Sequence, residues 1–212
     1  MPRQALLIIN LFHGRRNSES FRKALYFKNH DLSIYALRRL ALFYCVEYAQ
    51  FTMLWLLTQA VNQLPEFRTA LTDKGLGIYD RMHPAYTVFN KESKNFSGIW
   101  TEYSKNYRDF LRAYEEDVKK YATATSYAPK PNRPGNTFDV SMVPWLSFTA
   151  FDINVFDEGK YLLPIFTMGK FFEANDRRLL PLAIQVHHAV CDGYHVGQLI
   201  AILQEKIDSF TE

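Results

Sequence analysis

The spacing of hydrophobic and polar positions predicts three helices. Apolar residues recur at intervals of three and four between residues 36 and 64, where Pro65 ends the pattern. Aromatic and aliphatic residues repeat in the same way over residues 100–121, which is typical of one face of an amphipathic helix. Helical spacing returns between Val196 and Ile207. We therefore expect helices in the second quarter, in the middle and at the end of the chain.

Strands are predicted between and after these helices. The stretch "TALTDKGLGIYD" (69–80) has a turn signal at Lys74-Gly75 between two short apolar runs, which indicates a hairpin. Residues 126–137 hold three prolines and a glycine and are predicted to be a loop. Beyond it the chain is rich in strand patterns up to residue 190. We predict an α/β protein, an α+β two-layer sandwich with a mixed, largely antiparallel sheet covered by helices on one side.

Length and composition narrow the class of protein. The 212 residues suffice for one large domain, so we expect a single domain over 1–212. The formal charge of +3 comes from 25 basic and 22 acidic residues spread along the chain, so no nucleic-acid partner is expected. The two cysteines favour the cytoplasm, and the longest apolar helix candidate (51–61) is too short to span a membrane.

The stretch "QVHHAVCDGYHV" (185–196) carries the main candidate for chemistry. Alternation along the preceding strand places His188 on the side of an apolar stripe that includes Leu182 and Val186. An imidazole partly removed from water stays neutral near pH 7 and can accept a proton, as a general base must. Asp192-Gly193 is predicted to turn the chain from this strand into the last helix.

Two other interpretations of this stretch are a metal site and a cysteine nucleophile. A metal site would use His187, His188, Asp192 and His195, but adjacent residues of a strand point to opposite faces, so no metal is expected. Cys191 is a candidate nucleophile because a neighbouring imidazole lowers the pKa of a thiol. The alternative, a small apolar residue in a tight turn, is the preferred interpretation of Cys191.

Five segments taken together match one known family. Besides the histidine motif they are "NQLPEFR" (62–68), "HPAYTVF" (83–89), "PWLSFTAFDINV" (144–155) and "FTMGK" (166–170). In this order and spacing the chain resembles the chloramphenicol acetyltransferases over about residues 53–210. The resemblance implies a homotrimer with active sites at subunit interfaces. It also implies acetyl transfer from acetyl-coenzyme A, as co-substrate, to the primary (3-) hydroxyl of chloramphenicol, in a ternary complex without an acyl-enzyme or a permanent cofactor.

The resemblance assigns a role to each matching position. It implies that His188 is the base, that the Ser141 hydroxyl donates to the oxyanion, and that Thr167 supports the transition state through a water. Asp192 matches an aspartate that pairs with an N-terminal arginine. Three further positions, Lys170, Trp145 and Phe171, would line the coenzyme A channel, and Phe96 and Ile153 the acceptor pocket.

Residues 1–52 depart from the family pattern. The family's W-x-R-[KR]-E-x-F stretch is replaced by "LFHGRRNSESF" (11–21), so either Arg15 or Arg16 is the candidate partner of Asp192. Tyr26 and Phe27 are candidate contacts of the acceptor. Two alternatives stay open: a related acyltransferase with another acceptor, such as a dihydrolipoyl acyltransferase core, and a catalytically impaired trimeric homologue.

Overall fold

A computed structural model of the chain describes residues 9–10, 24–33, 46–153, 155, 157, 159–174 and 177–210, with side chains from residue 50 onward except those at 174, 177 and 178. The elements are β1 (Ile9–Asn10), β2 (Ala24–Ser33), α1 (Val46–Val61), a 3₁₀ helix (Pro65–Arg68), β3 (Thr69–Thr72), β4 (Gly75–Ile78), β5 (His83–Asn90), β6 (Asn95–Trp100), α2 (Tyr107–Tyr121), β7 (Thr137–Met142), β8 (Ile165–Met168), β9 (Phe172–Ala174), β10 (Arg177–His187) and α3 (Gly193–Ser209).

One large sheet carries most of the strands. Its order is β1-β2-β10-β8-β7-β5-β6, with β9 paired to β10, while β3 and β4 form a separate hairpin. The β5–β7 and β7–β8 pairs are parallel and every other described pair is antiparallel. The predicted α/β fold with a mixed, largely antiparallel sheet is therefore confirmed.

The helices pack against one face of this sheet. Alternate residues of the central strands, such as Val140, Phe166 and Leu182, join a single buried cluster with helix residues such as Leu54 and Leu199. Helix α1 is apolar around most of its circumference, and such a helix is stable only when it is buried. The other face of the sheet carries the residues that lie between these core positions. Among the described residues, no helix has the length and hydropathy that a membrane span requires.

Some predicted elements end elsewhere. Helix α2 begins at Tyr107 rather than Trp100, because the Asn106 side chain accepts a hydrogen bond from the Asp109 backbone N–H and caps the helix there. Trp100 instead ends β6, so the predicted helical start was wrong. Strand β7 ends at Met142, and the chain up to residue 153 is loop.

Other predicted boundaries hold. Helix α1 ends at Val61, before Pro65, as its pattern predicts. The β3–β4 hairpin turns at Gly75, whose φ of 99° is open to glycine. Strand β10 and helix α3 lie where their periodicities predict them.

His83 links the pH to the stability of this fold. The ring is 9% exposed, and its Nδ1 accepts a hydrogen bond of 2.8 Å from the Tyr103 backbone N–H. Burial lowers the pKa of His83 below 6.5, and Arg81 lowers it further against the opposing charge of Glu102. The unfolded chain therefore binds more protons than the folded one as the pH falls below 6.5, so this group destabilises the fold in acid.

We expect His83→Asn to flatten this acid dependence. The asparagine carbonyl replaces Nδ1 as an acceptor but does not titrate. Between about pH 7.5 and about pH 5.5 the melting temperature of the parent protein should fall more than that of the variant. Equal losses in the two proteins, measured by calorimetry in matched buffers, would contradict this assignment.

Candidate active site

Two of the predicted site residues lie side by side on the sheet face that the helices do not cover. Ser141 of β7 pairs with Thr167 of β8, and Thr167 pairs in turn with Ala183 of β10. Paired residues of neighbouring strands project to the same face, so the two hydroxyls share one patch of that face. Thr167 is buried and Ser141 half-buried.

A third hydroxyl, which the sequence analysis did not identify, holds the end of β7. The regular β5–β7 pairing stops at Tyr86 and Val140. Beyond it, the Met142 backbone N–H donates to Thr87 Oγ1 at 3.3 Å. The next N–H, that of Val143, donates to the carbonyl of Met168 at 2.9 Å. The chain just after Ser141 is thus fixed from both sides, and the polar Thr87 between Tyr86 and Val88 was the available signal.

His188 lies one residue beyond the end of β10. The strand stops because the backbone N–H groups of Val190 and Cys191 both donate to the His187 carbonyl and turn the chain. The prediction that His188 continues the apolar stripe of the strand is therefore wrong: in the single subunit its side chain is exposed. Neighbouring His187 supports the turn, since its Nδ1 accepts from the Ala189 N–H at 3.1 Å.

A hydrogen bond of the His188 ring to the backbone specifies the tautomer of the ring. Nδ1 lies 3.2 Å from the carbonyl oxygen of Cys191. A carbonyl can only accept, so the hydrogen must sit on Nδ1, and the lone pair of the neutral ring then sits on Nε2. This arrangement leaves Nε2 able to take a proton from a bound molecule.

Asp192 caps helix α3. Its carboxylate accepts hydrogen bonds from the backbone N–H groups of Tyr194 at 2.9 Å and His195 at 3.3 Å. The bond from His195, together with that from Tyr194, lowers the pKa of the Asp192 carboxyl. The predicted partners Arg15 and Arg16 lie outside the described residues.

Cys191 does not have the properties of a nucleophile. The side chain is 3% exposed, and burial, reinforced by the carboxylates of Glu66 and Asp192, raises the pKa of its thiol to about 12. The thiol is therefore protonated near neutral pH, and only the thiolate is a strong nucleophile. Within the described part of the chain, no three His, Cys, Asp or Glu side chains converge as metal ligands would.

His188 and the hydroxyls of Ser141 and Thr167 are far apart within one subunit. Thr167 is level with Ala183 on β10, and His188 follows Ala183 by five residues. At about 3.4 Å per residue the separation along the strand is on the order of 17 Å. The structure thus brings Ser141 and Thr167 together but does not bring His188 to them in the same chain.

Trp145 and Phe96 line one cavity, although the sequence analysis assigned them to different ligands. Their ring centroids lie 5.8 Å apart, and Phe89 contacts both rings. The cavity of about 680 Å³ lies between the α1 and α2 helices and the β5–β7 end of the sheet, and its wall also includes Met142. An apolar space of this size suits an aromatic small molecule.

The remaining predicted contacts lie on the loops and at the edge of this region. Lys170 is exposed and Phe171 packs against the core, whereas Ile153 is half-buried in the loop after Trp145. In β2, the backbones of Tyr26 and Phe27 lie opposite Gln185 and Ile184 of β10. The side chains of Tyr26 and Phe27 lie outside the described part.

Gly169, just after β8, lies against the loop of residues 143–153 that contains Trp145. Its backbone N–H donates to the Pro181 carbonyl, and the next N–H, of Lys170, donates to the Leu146 carbonyl at 2.6 Å. A Cβ at residue 169 would lie 2.9 Å from the backbone oxygen of Leu146 and 2.8 Å from a ring carbon of Phe148. Only a residue without a side chain fits this approach of two backbones.

We therefore expect Gly169→Ala to lower the free energy of unfolding by about 1–3 kcal/mol, as overpacking does. Because the loop must move away, the variant should also lose affinity for any ligand that contacts Trp145. Denaturant unfolding measures the first effect. Gly77→Ala is the matched control, since a Cβ there meets no atom within 4 Å. Equal stability of the two variants would show that the loop adapts without cost.

Comparisons of the sequence with known proteins point to one family. The sequence profile of the chloramphenicol acetyltransferases matches residues 6–204, and so includes part of the divergent first quarter. A chloramphenicol acetyltransferase of Clostridium butyricum is 48% identical over 162 residues, which are 76% of this chain and 74% of that protein.

Solved structures give the same fold. A chloramphenicol acetyltransferase superposes with a TM-score of 0.72 at 18% identity, covering 88% of both chains. A dihydrolipoamide acetyltransferase of Azotobacter vinelandii superposes at 0.60 with 19% identity, covering 85% of this chain and 80% of that one. The fold is thus shared with other acyltransferases and does not by itself distinguish the family. The profile match and the sequence identity do distinguish it, because both are with chloramphenicol acetyltransferases. The chain belongs to the chloramphenicol acetyltransferase family of acyltransferase enzymes.

Proposed function

We propose that this protein transfers the acetyl group of acetyl-coenzyme A to the primary (3-) hydroxyl of chloramphenicol, in the cytoplasm, and so confers resistance to the antibiotic. The observation that carries the proposal is the hydrogen bond between His188 Nδ1 and the Cys191 carbonyl, in a chain of this family. It leaves Nε2 of His188 free to act as a general base.

His188 starts the reaction. Nε2 removes the proton of the acceptor hydroxyl while the oxygen attacks the thioester carbonyl of acetyl-coenzyme A. The resulting tetrahedral intermediate collapses to the ester and expels coenzyme A, whose sulfur takes up the proton from the His188 imidazolium. Both substrates are bound together, and the protonated thiol of Cys191 supports a direct transfer without an acyl-enzyme.

Ser141 and Thr167 act on the charge that develops in this intermediate. The Ser141 hydroxyl donates a hydrogen bond to the oxyanion, and Thr167, its neighbour on β8, binds a water that supports the same transition state. Donors fixed on a sheet need no reorganisation during the reaction. The Thr87 and Met168 hydrogen bonds to the end of β7 keep this segment rigid.

The active protein is a homotrimer in this proposal. His188 and the hydroxyls lie on the order of 17 Å apart along one sheet, which is too far for one substrate hydroxyl to contact both. A site that uses both must therefore combine His188 of one subunit with Ser141 and Thr167 of the next. The exposure of His188 in the single subunit is consistent with an interface position.

The coenzyme and the acceptor enter from different sides of this interface. Lys170 offers a positive charge for the phosphates of coenzyme A, and Trp145 and Phe171 offer aromatic surface along its channel. The acceptor contacts Phe96 and Ile153 and, in the divergent quarter, Tyr26 and Phe27. Phe96 and Trp145 also share the apolar cavity beside the end of β7.

Asp192 has a structural role in this proposal. Its carboxylate caps α3 and thereby fixes the turn that carries His188. Its lowered pKa keeps it charged, which suits an ion pair with Arg15 or Arg16. The chain is proposed to form one domain over residues 1–212.

The experiment is release of free thiol from acetyl-coenzyme A, with and without chloramphenicol. Chloramphenicol-dependent release, with 3-acetylchloramphenicol identified by mass spectrometry, supports the proposal. If release depended on dihydrolipoamide and not on chloramphenicol, the protein would be an acyltransferase with that other acceptor. Saturable chloramphenicol binding without release would indicate an impaired homologue.

A further inference from the structure

One peptide group lies between two histidines. It is the peptide that joins Cys191 to Asp192: its carbonyl lies 3.2 Å from His188 Nδ1, and its N–H donates to His195 Nδ1 at 3.1 Å. We propose that His195 is a positioning residue, which holds this peptide so that its carbonyl fixes the tautomer and the orientation of the His188 ring. The inference rests on the proposed role of His188 as the base.

The rigidity of the peptide group transmits the effect. The C=O and N–H of one planar trans peptide point in opposite directions, so a partner at one end sets the direction of the other. Hydrogen bonds at both ends also polarise each other. Donation of the Asp192 N–H to His195 raises the negative charge on the Cys191 oxygen, which then holds the Nδ1–H of His188 more strongly.

The surroundings of His195 supply the required lone pair. Nε2 lies 3.7 Å from a carboxylate oxygen of Glu66 in the 3₁₀ helix, which favours the hydrogen on Nε2. Nδ1 is then free to accept. An Asp192 oxygen also lies 2.9 Å from Nδ1, but the Asp192 backbone N–H is directed at this nitrogen, and a second hydrogen on Nδ1 would collide with it.

Loss of the acceptor at residue 195 therefore has a specific consequence for catalysis. The Asp192 N–H loses its partner, the peptide is free to tilt, and the Cys191 carbonyl no longer favours the Nδ1–H tautomer of His188. The alternative tautomer carries its hydrogen on Nε2 and cannot accept a proton there. The turnover number should fall while both KM values stay constant, because His195 acts on the His188 ring through the peptide and is not assigned to the binding of either substrate.

Two substitutions of His195 distinguish loss of the hydrogen-bond acceptor from a change in side-chain packing. The amide oxygen of His195→Asn lies near the position of Nδ1 and preserves the acceptor, whereas His195→Leu fills similar space without one. We expect kcat to fall roughly tenfold in the leucine variant and to stay within about twofold of the parent in the asparagine variant. Gln198→Leu, one turn further along α3, is the control for a change on the same helix.

The tautomer of His188 is measured directly by ¹⁵N NMR of its ring nitrogens. The parent and His195→Asn should carry the hydrogen on Nδ1, and His195→Leu should show a growing share on Nε2. An unchanged tautomer and turnover number in the leucine variant would overturn the inference, as would equal losses in both variants. If the leucine variant does not fold, His195→Ala replaces it, since alanine also offers no acceptor to the Asp192 N–H.

His188→Ala distinguishes the two levels of the argument. If it retained turnover, the proposed base would be wrong, but the NMR comparison would still test the contact through the peptide. If it lost turnover while His195→Leu kept both turnover and tautomer, the role of His195 alone would be wrong.

Discussion

Substitution of His188 by alanine is expected to lower kcat for chloramphenicol acetylation by about 10³- to 10⁴-fold, the upper part of the range for a general base. The ring offers Nε2 as the proton acceptor because Nδ1–H is bound to the Cys191 carbonyl. No other described imidazole has this arrangement next to the turn. The KM values should change much less, since the ring acts mainly in the transition state. Thiol release from acetyl-coenzyme A measures both parameters.

The adjacent histidine provides the matched control. His187 Nδ1 accepts from the Ala189 N–H and so stabilises the turn. In His187→Asn the amide oxygen takes over this hydrogen bond, so kcat should stay within a few fold of the parent. If His187→Asn lost turnover and His188→Ala retained it, the assignments of base and structural neighbour would be reversed.

The sequence predicted which residues of a strand face the core. Alternation along β10 places Leu180, Leu182 and Ile184 on one side, and these residues are fully buried in the core. A period of two is enforced wherever one face of a strand packs against helices, because a shift by one residue would expose every apolar side chain. The spacing in α3 has the same physical basis, with Leu199 and Leu203 buried.

The end of each element was less predictable. Nothing in the hydrophobic pattern distinguishes Trp100 on a strand from Trp100 in the first turn of a helix, since an aromatic residue suits both. The boundary is set by the Asn106 cap, a single hydrogen bond. The position of His188 is likewise set by the turn at the His187 carbonyl rather than by alternation.

Hydrogen bonds between residues far apart in the sequence were also not predictable. Thr87 and Met142 are 55 positions apart, and they meet only because β5 and β7 are neighbours in the sheet. His195 was considered solely as a metal ligand, because its spacing does not reveal that it accepts from the Asp192 N–H. The motif identified the residues, but the contacts that define their tautomers required the structure.

The second large effect is expected for Ser141→Ala, which should lower kcat by about 10²-fold, equivalent to about 3 kcal/mol of transition-state stabilisation. The hydroxyl acts mainly on the oxyanion, so binding of both substrates should be nearly intact. Ser97→Ala is the control: the Ser97 hydroxyl donates to the carbonyls of Ala124 and Ser126, away from the site. That variant should lose thermal stability but retain kcat. A comparable loss of binding and turnover in Ser141→Ala would indicate a structural role.

The two inactive variants can be combined to test whether one active site takes residues from two subunits. If His188 of one subunit acts with Ser141 of the next, random mixing of His188→Ala and Ser141→Ala chains in equal amounts rebuilds both residues at about a quarter of the interfaces. The co-expressed population as a whole should therefore recover roughly a quarter of the parent turnover, and purified mixed trimers, in which one interface of three is rebuilt, roughly a third, whereas the separate variants mixed without exchange should recover nothing. No recovery in verified mixed trimers would require both residues to act from the same chain, which the spacing along β10 argues against.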